Sequence, residues 1–231
     1  MVMLQESRLS IFAPCTYLPE RMWRFEYFFA TSINDRELNR LLSRGWRKFG
    51  EYYFRPSCGE CMRCIPIRIL VQEFKPTKGQ RRVFRRCADV EVRFNALEYR
   101  DEIFEIYRDH SMNRFGKESD PDEFIAAFYT PSCPMMQSEY YRNGELVAVG
   151  FIDISSSGLS SVYFAYKTSC EQLRLGTYSV LREVEYAASR GFTYYYLGYY
   201  IEESRSMEYK GHFHPHEKYD WSSRRWNREC K

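Results

Sequence analysis

Residues 145–201 read ELVAVGFIDISSSGLSSVYFAYKTSCEQLRLGTYSVLREVEYAASRGFTYYYLGYYI, and the order of elements in this stretch decides the fold class. Residues 145–154 are largely apolar, which predicts a buried strand, and residues 161–166 predict a second strand beyond a turn. A helix is predicted over 177–190 and an aromatic strand over 192–201. The order strand, strand, helix, strand predicts an α/β fold, an α+β mixed sheet with helices packed against it.

Helices upstream of this stretch are predicted from their capping residues. Asn34 opens one helix with a glutamate three residues later, and Asn95 gives the same signal for a second. Asp120, followed by a proline, begins a third helix.

The composition describes a packed globular protein. Of the 231 residues 44% are hydrophobic and 18% aromatic, whereas disordered chains are poor in such residues. A weak boundary near 87–97 divides the chain into a Cys-rich region, 1–90, and a more regular region, 91–231. We find no apolar run of about 18 residues and no secretory signal, so we expect a cytoplasmic protein that does not span a membrane. In that compartment the eight cysteines are thiols or metal ligands.

A cysteine cluster lies in residues 55–69, RPSCGECMRCIPIRI. Cys58, Cys61 and Cys64 are each separated by two residues, a spacing that can aim several sulfurs at one ion, and Cys15 would supply a fourth ligand. Four soft thiolates suit either a structural Zn²⁺ or an iron–sulfur cluster. The alternative is a loop that carries free thiols.

A basic stripe runs from residue 75 to residue 86, with six basic residues and no acidic one. If the segment is helical, five of these cations share one face, and a partner with regularly spaced phosphates would relieve their repulsion. RNA or another polyanion is the expected partner, and a solvated face with acidic neighbours from elsewhere in the fold is the alternative. The five residues are Lys78, Arg81, Arg82, Arg85 and Arg86.

An aromatic segment near the C-terminus, residues 194–215, reads YYYLGYYIEESRSMEYKGHFHP. Gly198 within this strand suggests a bulge or the close approach of another group. Tyrosines such as Tyr199 would either pack in the core or flank a slot for a nucleotide base.

Five segments together resemble the N-end-rule aminoacyl-tRNA–protein transferases. The Cys-x2-Cys-x2-Cys pattern resembles the bacterial branch, whose members move leucine onto proteins with N-terminal Asp or Glu and so create a degradation signal. Leu18 stands where the arginine-transferring branch has a second cysteine. Ser204 and Ser206 depart from the family pattern. The matching segments are CTYLPER (15–21), LSRGWRKFGEYYFRPSCGECMRCIPIRI (42–69), FKPTKGQRR (74–82), SSVYFAYKTSCEQLRLGTYSVL (160–181) and YLGYYIEESRSMEYKGHFHPHE (196–217).

The resemblance implies a GNAT-like acyltransferase fold with a Cys-rich N-terminal subdomain. In that fold two neighbouring strands splay apart, and here the slot would hold the aminoacyl end of tRNA. The chemistry needs no cofactor, because the donor is already an activated ester. The implied tRNA contacts are Lys78, Gln80, Arg81, Arg82 and Arg85, together with the helix start at Leu175, Gly176 and Thr177, whose N–H groups suit a phosphate.

An acidic acceptor side chain requires a buried cation, and residues within the matched segments supply candidates. Tyr163 or Tyr209 would orient the attacking amine or the ribose hydroxyl as catalytic residues. The choice between leucine and arginine as donor, the general base and the oligomeric state stay open. An arginyltransferase, an acyl-coenzyme A acetyltransferase and a non-catalytic module that binds RNA or protein N-termini are the alternatives. The candidate substrate-binding residues are Arg47, Arg55, Lys210, Gly198 and Tyr199.

Overall fold

The computed structural model describes residues 2–3 and 6–229. The helices are α1 (Asp35–Leu42), α2 (Lys78–Arg86), α3 (Asp101–Phe115), α4 (Pro121–Phe128), α5 (Leu175–Ser189) and α6 (Arg205–Glu208). The strands are β1 (Val2–Met3), β2 (Arg8–Leu9), β3 (Ala13–Pro14), β4 (Met22–Trp23), β5 (Phe25–Ser32), β6 (Arg47–Phe49), β7 (Tyr52–Pro56), β8 (Ile65–Leu70), β9 (Val90–Asn95), β10 (Met135–Arg142), β11 (Glu145–Ile154), β12 (Gly158–Tyr166), β13 (Tyr194–Tyr200), β14 (His216–Asp220) and β15 (Arg225–Glu229).

An eight-stranded sheet forms the centre of the molecule, in the order β15-β14-β8-β13-β12-β11-β10-β9. Its neighbouring strands are antiparallel except for β12 and β13, which are parallel, so the predicted mixed sheet is confirmed. The strands predicted from residues 145–201 are β11, β12 and β13, and the predicted helix is α5. A second sheet contains β1, β5, β7 and β6, with β2 beside β5.

The parallel strands β12 and β13 separate soon after they begin. They pair only at Gly158–Tyr194, Leu159–Tyr195 and Ser160–Tyr196, although both continue for several residues. The helix α5 connects them across one face of the sheet. This is the pair of splayed strands that the resemblance to acyltransferases implied.

Side chains on the two faces of the large sheet build different parts of the core. Tyr195 packs with α2 and α5, whereas its neighbour Tyr196 packs with α1 and the second sheet, because alternate residues of a strand point to opposite faces. Phe151 lies in a third cluster with α3 and α4. Each fully buried large side chain contributes about 1.5–3 kcal/mol to stability.

The helix predicted to begin at Asn95 was placed too early. Asn95 ends β9, where it pairs with Gln137 of β10, and α3 begins only at Asp101 behind Arg100. Strand pairing across the sheet therefore overrides the local capping signal at Asn95. The helices capped by Asn34 and Asp120 form as predicted.

The boundary predicted near residue 90 stays a prediction. The strand β8, from the region before it, lies between β13 and β14 in the large sheet. The Cys-rich region therefore contributes one strand to the main sheet as well as the whole second sheet. Within the described residues no helix is both long and apolar enough to cross a membrane.

Candidate active site

The basic stripe is the exposed face of α2. Thr77 caps this helix: its side chain accepts from the Gln80 N–H at 3.2 Å, and Gln80 Oε1 accepts from the Thr77 N–H at 2.8 Å. None of the five cations forms an ion pair within the described part of the chain. The prediction of one uncompensated basic face is therefore met, and the exposed residues are Lys78, Arg81, Arg82, Arg85 and Arg86.

A cavity of about 500 Å³ lies between the first turn of α2, the first turn of α5 and residues 209–214. Its described lining includes the basic residues Lys78 and Arg174, the aromatic Tyr209, and Thr177, and it contains no carboxylate. A cavity lined in this way suits a negatively charged ligand with a ring, which are properties of a terminal nucleotide.

Gln80, predicted as a tRNA contact, is largely buried in the lining of this cavity. Its side chain is 6% exposed and its Nε2 donates to the His212 carbonyl at 3.2 Å, besides completing the helix cap. Gln80 therefore holds the start of α2 against residues 209–214 and shapes the cavity from within.

The start of α5 presents the three predicted residues in different ways. Leu175 is buried in the core, whereas Thr177 lines the cavity. Open space surrounds the point where Gly176 would carry a side chain, so a ligand can approach its backbone. Arg174 caps the helix in the left-handed conformation, with φ of 59°, and its carbonyl accepts from the Thr177 N–H at 2.9 Å.

Two cations meet at the point where β12 and β13 separate. Arg47 donates from Nη1 to Ser160 Oγ at 2.8 Å and from Nη2 to the Ser161 carbonyl. Lys210 donates to the Tyr199 carbonyl at 2.9 Å. A Cβ on Gly198 would lie 3.6 Å from Lys210 Nζ and 3.7 Å from Arg47 Nη2, and its φ of 88° favours glycine.

Neither of these cations has an anionic partner in contact. Both side chains are partly buried, and no ion pair to either is formed among the described residues. The nearby Asp153 pairs with Lys48 at 3.2 Å instead. Burial and the neighbouring Arg47 charge lower the pKa of Lys210 to about 7. An incoming carboxylate would therefore relieve an unbalanced positive charge at this site.

Two further residues predicted to bind substrate, Tyr199 and Arg55, differ in their availability. Tyr199 belongs to the site, and its hydroxyl donates to the Gly45 carbonyl at 2.8 Å. Arg55 is already engaged, because it pairs with Glu26 at 2.7 Å and lies over the Trp46 ring.

Tyr163 does not reach the cavity. Its ring packs against Tyr107 and Phe128 on the α3 and α4 side, and its hydroxyl lies 3.4 Å from His110 Nδ1. Of the two tyrosines predicted as catalytic, the structure brings only Tyr209 to the site.

The four predicted metal ligands line one cavity of about 180 Å³, together with apolar side chains such as Trp23 and Phe25. Burial raises the pKa of Cys64 to about 12, and the negative charges of the other three sulfurs as thiolates act in the same direction. A set of four neighbouring thiols has the chemistry that soft metals bind. No group of three or more potential ligands among the described residues stands in metal-binding positions. Metal binding by Cys15, Cys58, Cys61 and Cys64 stays a prediction.

The sequence did not single out Arg174 or His214 as site residues. Arg174 lies in the matched segment just before Leu175, and it lines the cavity as an exposed cation. His214 lines the same cavity, and its Nδ1 is buried with no hydrogen-bond partner among the described residues. The sequence offers one signal for His214, the alternation of His212, His214 and His216, but this spacing matches no zinc-enzyme motif.

Two family models match this chain. The model described as "Arginine-tRNA-protein transferase, N terminus" matches residues 13–82, and "Arginine-tRNA-protein transferase, C terminus" matches residues 102–220. Together they contain β6, the first five residues of α2, α5 and β13, the elements that build the site.

Curated relatives are similar over most of the chain. The aspartate/glutamate leucyltransferase of Chromobacterium violaceum is 34% identical over 87% of this chain and 86% of its own length. The aspartate/glutamate leucyltransferase of Stenotrophomonas maltophilia is 33% identical over 93% of this chain and 89% of its own length.

The similarity of solved structures to this chain is low, both in sequence identity and in TM-score. FemX has a TM-score of 0.45 and 10% identity, over 70% of this chain and 59% of its own. L-PGS from Bacillus licheniformis has a TM-score of 0.44 and 13% identity, over 60% of this chain and 47% of its own.

Proposed function

This chain belongs to the arginine-tRNA-protein transferase family, and we propose that it transfers leucine from leucyl-tRNA to the N-terminal amine of proteins that begin with Asp or Glu. The observation that carries the proposal is the pair of partly buried cations, Arg47 and Lys210, beside Gly198 at the opening between β12 and β13.

The acceptor's acidic side chain would bind to these two cations. A carboxylate placed there gains charge-assisted hydrogen bonds, each contributing about 1.5–3 kcal/mol, whereas the isosteric amide of Asn does not supply the charge. Because Gly198 has no side chain, a peptide N-terminus can approach both cations closely.

The donor would be leucine and not arginine because the site offers an arginine side chain no counter-charge. Neither cavity beside the site has a carboxylate in its described lining, and the nearest cations would repel a guanidinium. An apolar side chain meets neither penalty. The names of the similar relatives, aspartate/glutamate leucyltransferases, support the same donor and acceptors.

The tRNA acceptor end would bind across α2 and enter the larger cavity. Lys78, Arg82 and their neighbours on the helix face supply phosphate contacts, and Tyr209 supplies a ring against which a base can stack. Tyr209 and Lys210 are adjacent in the chain, so the nucleotide cavity and the cation pair meet at this point.

The reaction joins an amine to an activated ester. The acceptor nitrogen, as a neutral amine, attacks the ester carbonyl, the bond from that carbon to the ribose oxygen breaks, and the ribose oxygen takes the proton that the nitrogen loses. An α-amine has a reference pKa of about 7.7–8.0, so about a tenth or more is neutral at pH 7. The protein mainly aligns the two substrates and stabilises the developing oxyanion.

A transfer assay tests the proposal. The purified chain is incubated with radiolabelled leucyl-tRNA or arginyl-tRNA and a peptide beginning with Asp. Label from leucyl-tRNA should become stably attached to the peptide. Attachment only from arginyl-tRNA would replace leucine by arginine as donor. Binding of tRNA without transfer from either would favour the non-catalytic module.

We further propose that the product is a degradation signal formed in the cytoplasm, and that Cys15, Cys58, Cys61 and Cys64 hold a structural zinc ion or an iron–sulfur cluster. The shared cavity of the four thiols supports the second point. Elemental analysis of anaerobically purified protein should find near-stoichiometric zinc or iron, and less than about a tenth of an equivalent would exclude this ligand set.

A further inference from the structure

The smaller cavity, of about 180 Å³, lies close to the cation pair of Arg47 and Lys210, and we call it the apolar cavity. Its described lining combines apolar side chains with cysteine thiols, and a thiol acts as a small apolar group in such a wall. The charged residue of that lining, Arg63, already pairs with Glu203 at 2.8 Å. The apolar members are Leu18, Met22, Trp23, Phe25, Pro56 and Ile201.

Strand β13 leads directly from the cation pair to the apolar cavity. Lys210 donates to the Tyr199 carbonyl, and Ile201, which lines the cavity, comes two residues after Tyr199. Two residues of chain span at most about 7 Å. The wall of the cavity therefore begins within about 7 Å of the backbone that holds Lys210.

Strand β7 gives the same placement independently. Its Phe54 is the strand partner of Arg47, and Pro56, two residues later, lines the cavity and pairs with Phe25, which also lines it. The second sheet and the large sheet thus both connect the cation pair with the cavity over two residues. A substrate bound at the cations is therefore next to an apolar wall.

The groups that meet in the reaction need different surroundings. The acceptor's acidic side chain would bind to the cations, and the donor's nucleotide would bind in the larger cavity, whose lining includes Lys78 and Arg174. The donor's own side chain is attached to the carbon next to the reacting carbonyl. An apolar side chain gains free energy when it leaves water for an apolar wall, whereas a charged side chain would lose its solvation without gaining a partner.

The volume of the apolar cavity also suits this group. An apolar cavity of about 150 Å³ can bind benzene, and the side chain of leucine is smaller than benzene. We propose that the apolar cavity binds the leucyl side chain of the aminoacyl-tRNA and that its lining selects the donor. This inference rests on the proposed aminoacyl transfer.

Transfer from one tRNA that is acylated with different amino acids tests the assignment, because only the donor side chain then varies. The protein is used as purified, and kcat/KM for an Asp peptide is measured with the leucyl and the alanyl donor. The unaltered protein should prefer leucine by at least about 100-fold, since one methylene in an apolar pocket changes kcat/KM by about 10- to 200-fold. Leu18→Phe narrows the cavity and should reduce this preference at least about tenfold.

The same substitution outside the cavity provides the control. Leu9 is 52% exposed in β2 and is not part of the described lining, so Leu9→Phe should leave the leucine-to-alanine ratio within about twofold of the unaltered protein. Ile201→Ala makes the opposite change, because it widens the cavity. It should raise transfer of phenylalanine relative to leucine by at least about tenfold.

The acceptor preference separates this proposal from another use of the cavity. The ratio of transfer to Asp and Asn peptides should be the same in all three variants and in the unaltered protein, because the cation pair is unaltered. Donor ratios that respond to neither Leu18→Phe nor Ile201→Ala would overturn the proposal while leaving the transfer itself in place. If KM for the peptide changed in their stead, the cavity would belong to the acceptor.

Methyl NMR spectra provide a readout that does not depend on transfer. Met22 lines the cavity, whereas Met112 is similarly exposed on α3 and is absent from the described lining. With isotope-labelled methionine methyl groups, leucinamide should shift the Met22 signal but not the Met112 signal, and argininamide should shift neither. No Met22 shift with leucinamide would overturn the proposal. If the unaltered protein transfers no amino acid, the proposed function fails, and the Met22 signal still decides whether the cavity binds a leucyl side chain.

Discussion

The exposed cations of α2 can be removed without disturbing the core, and this gives a quantitative test of the tRNA surface. Arg81 donates to the Pro76 carbonyl at 2.7 Å and Arg86 to the Gln172 carbonyl at 2.8 Å, so both are partly engaged within the protein. The triple variant Lys78→Ala, Arg82→Ala, Arg85→Ala therefore removes the three cations that are most available to phosphates.

The expected magnitude follows from counterion release. Each neutralised phosphate contributes about −0.7 to −0.9 to the slope of log K against log salt concentration. Losing three contacts should make the slope shallower by about 2 to 3. Fluorescence anisotropy of labelled tRNA at salt concentrations from about 50 to 200 mM measures this slope.

A second triple variant controls for the loss of net charge. Arg36, Arg40 and Arg44 are exposed residues in and just beyond α1, and none of them lines the larger cavity between α2 and α5. Their replacement by alanine removes the same charge and should leave the salt slope within about half a unit of the unaltered protein. Equal slopes for the two triple variants would refute the assignment of α2 as the RNA-binding surface.

Three further changes probe the strand opening and Glu183, a buried carboxylate of α5 that accepts hydrogen bonds from Ser138 and Tyr195. Burial lowers the pKa of Lys210 to about 7, so the KM for an Asp peptide should rise as pH increases through 7. The variant Lys210→Arg stays charged, so its KM should not change over this pH range. Parallel pH profiles of KM for the two proteins would contradict this. Gly198→Ala forces a side chain into a left-handed position and should reduce the free energy of unfolding in urea by about 1–2 kcal/mol, and no loss would show that the backbone there is unstrained. The pKa of Glu183 rises from 4.5 in the unfolded chain to about 7 in the fold. The fold therefore favours the protonated form of Glu183. Its contribution to the free energy of unfolding is complete below about pH 4.5 and is lost as pH rises through 7, a change of about 3 kcal/mol. Urea unfolding at the two ends of that range should show this change in the unaltered protein and not in Glu183→Gln.

Local signals in the sequence predicted much of the fold. The spacing of the basic residues in 75–86 predicted one cationic face only if the segment is helical, and the structure has a helix there, α2, capped by Thr77. The order of strands and helix in residues 145–201 was sufficient for the mixed sheet. Asn95 shows the limit of such signals, because its pairing partner lies in β10, a strand more than 35 residues away.

The active site depends on contacts that no local pattern contains. Arg47 and Lys210 come from β6 and from the turn after α6, and only the folded sheet brings both beside Gly198. Their selection rested on the family resemblance and not on spacing.

The position of Tyr163 depends on a strand irregularity. A register shift in β12 leaves Val162 as an extra residue between the positions that pair with Phe151 and Ile152. Such a bulge redirects the side chains that follow it, which explains how Tyr163 comes to face α3. Nothing in the sequence around Val162 marks the bulge. Glu183 sits in an ordinary helical pattern, so nothing in the sequence marks it as the buried acceptor of hydrogen bonds from Tyr195 and Ser138.

The most direct measurement is the ratio of kcat/KM for leucine transfer to two peptides that differ only in an N-terminal Asp or Asn. If the two cations bind the acceptor carboxylate, we expect a preference for Asp of about 10- to 100-fold. This ratio is equivalent to the roughly 1.5–3 kcal/mol of a charge-assisted hydrogen bond. A ratio near one with leucyl-tRNA as donor would contradict the assignment of Arg47 and Lys210 as the site that selects the acceptor.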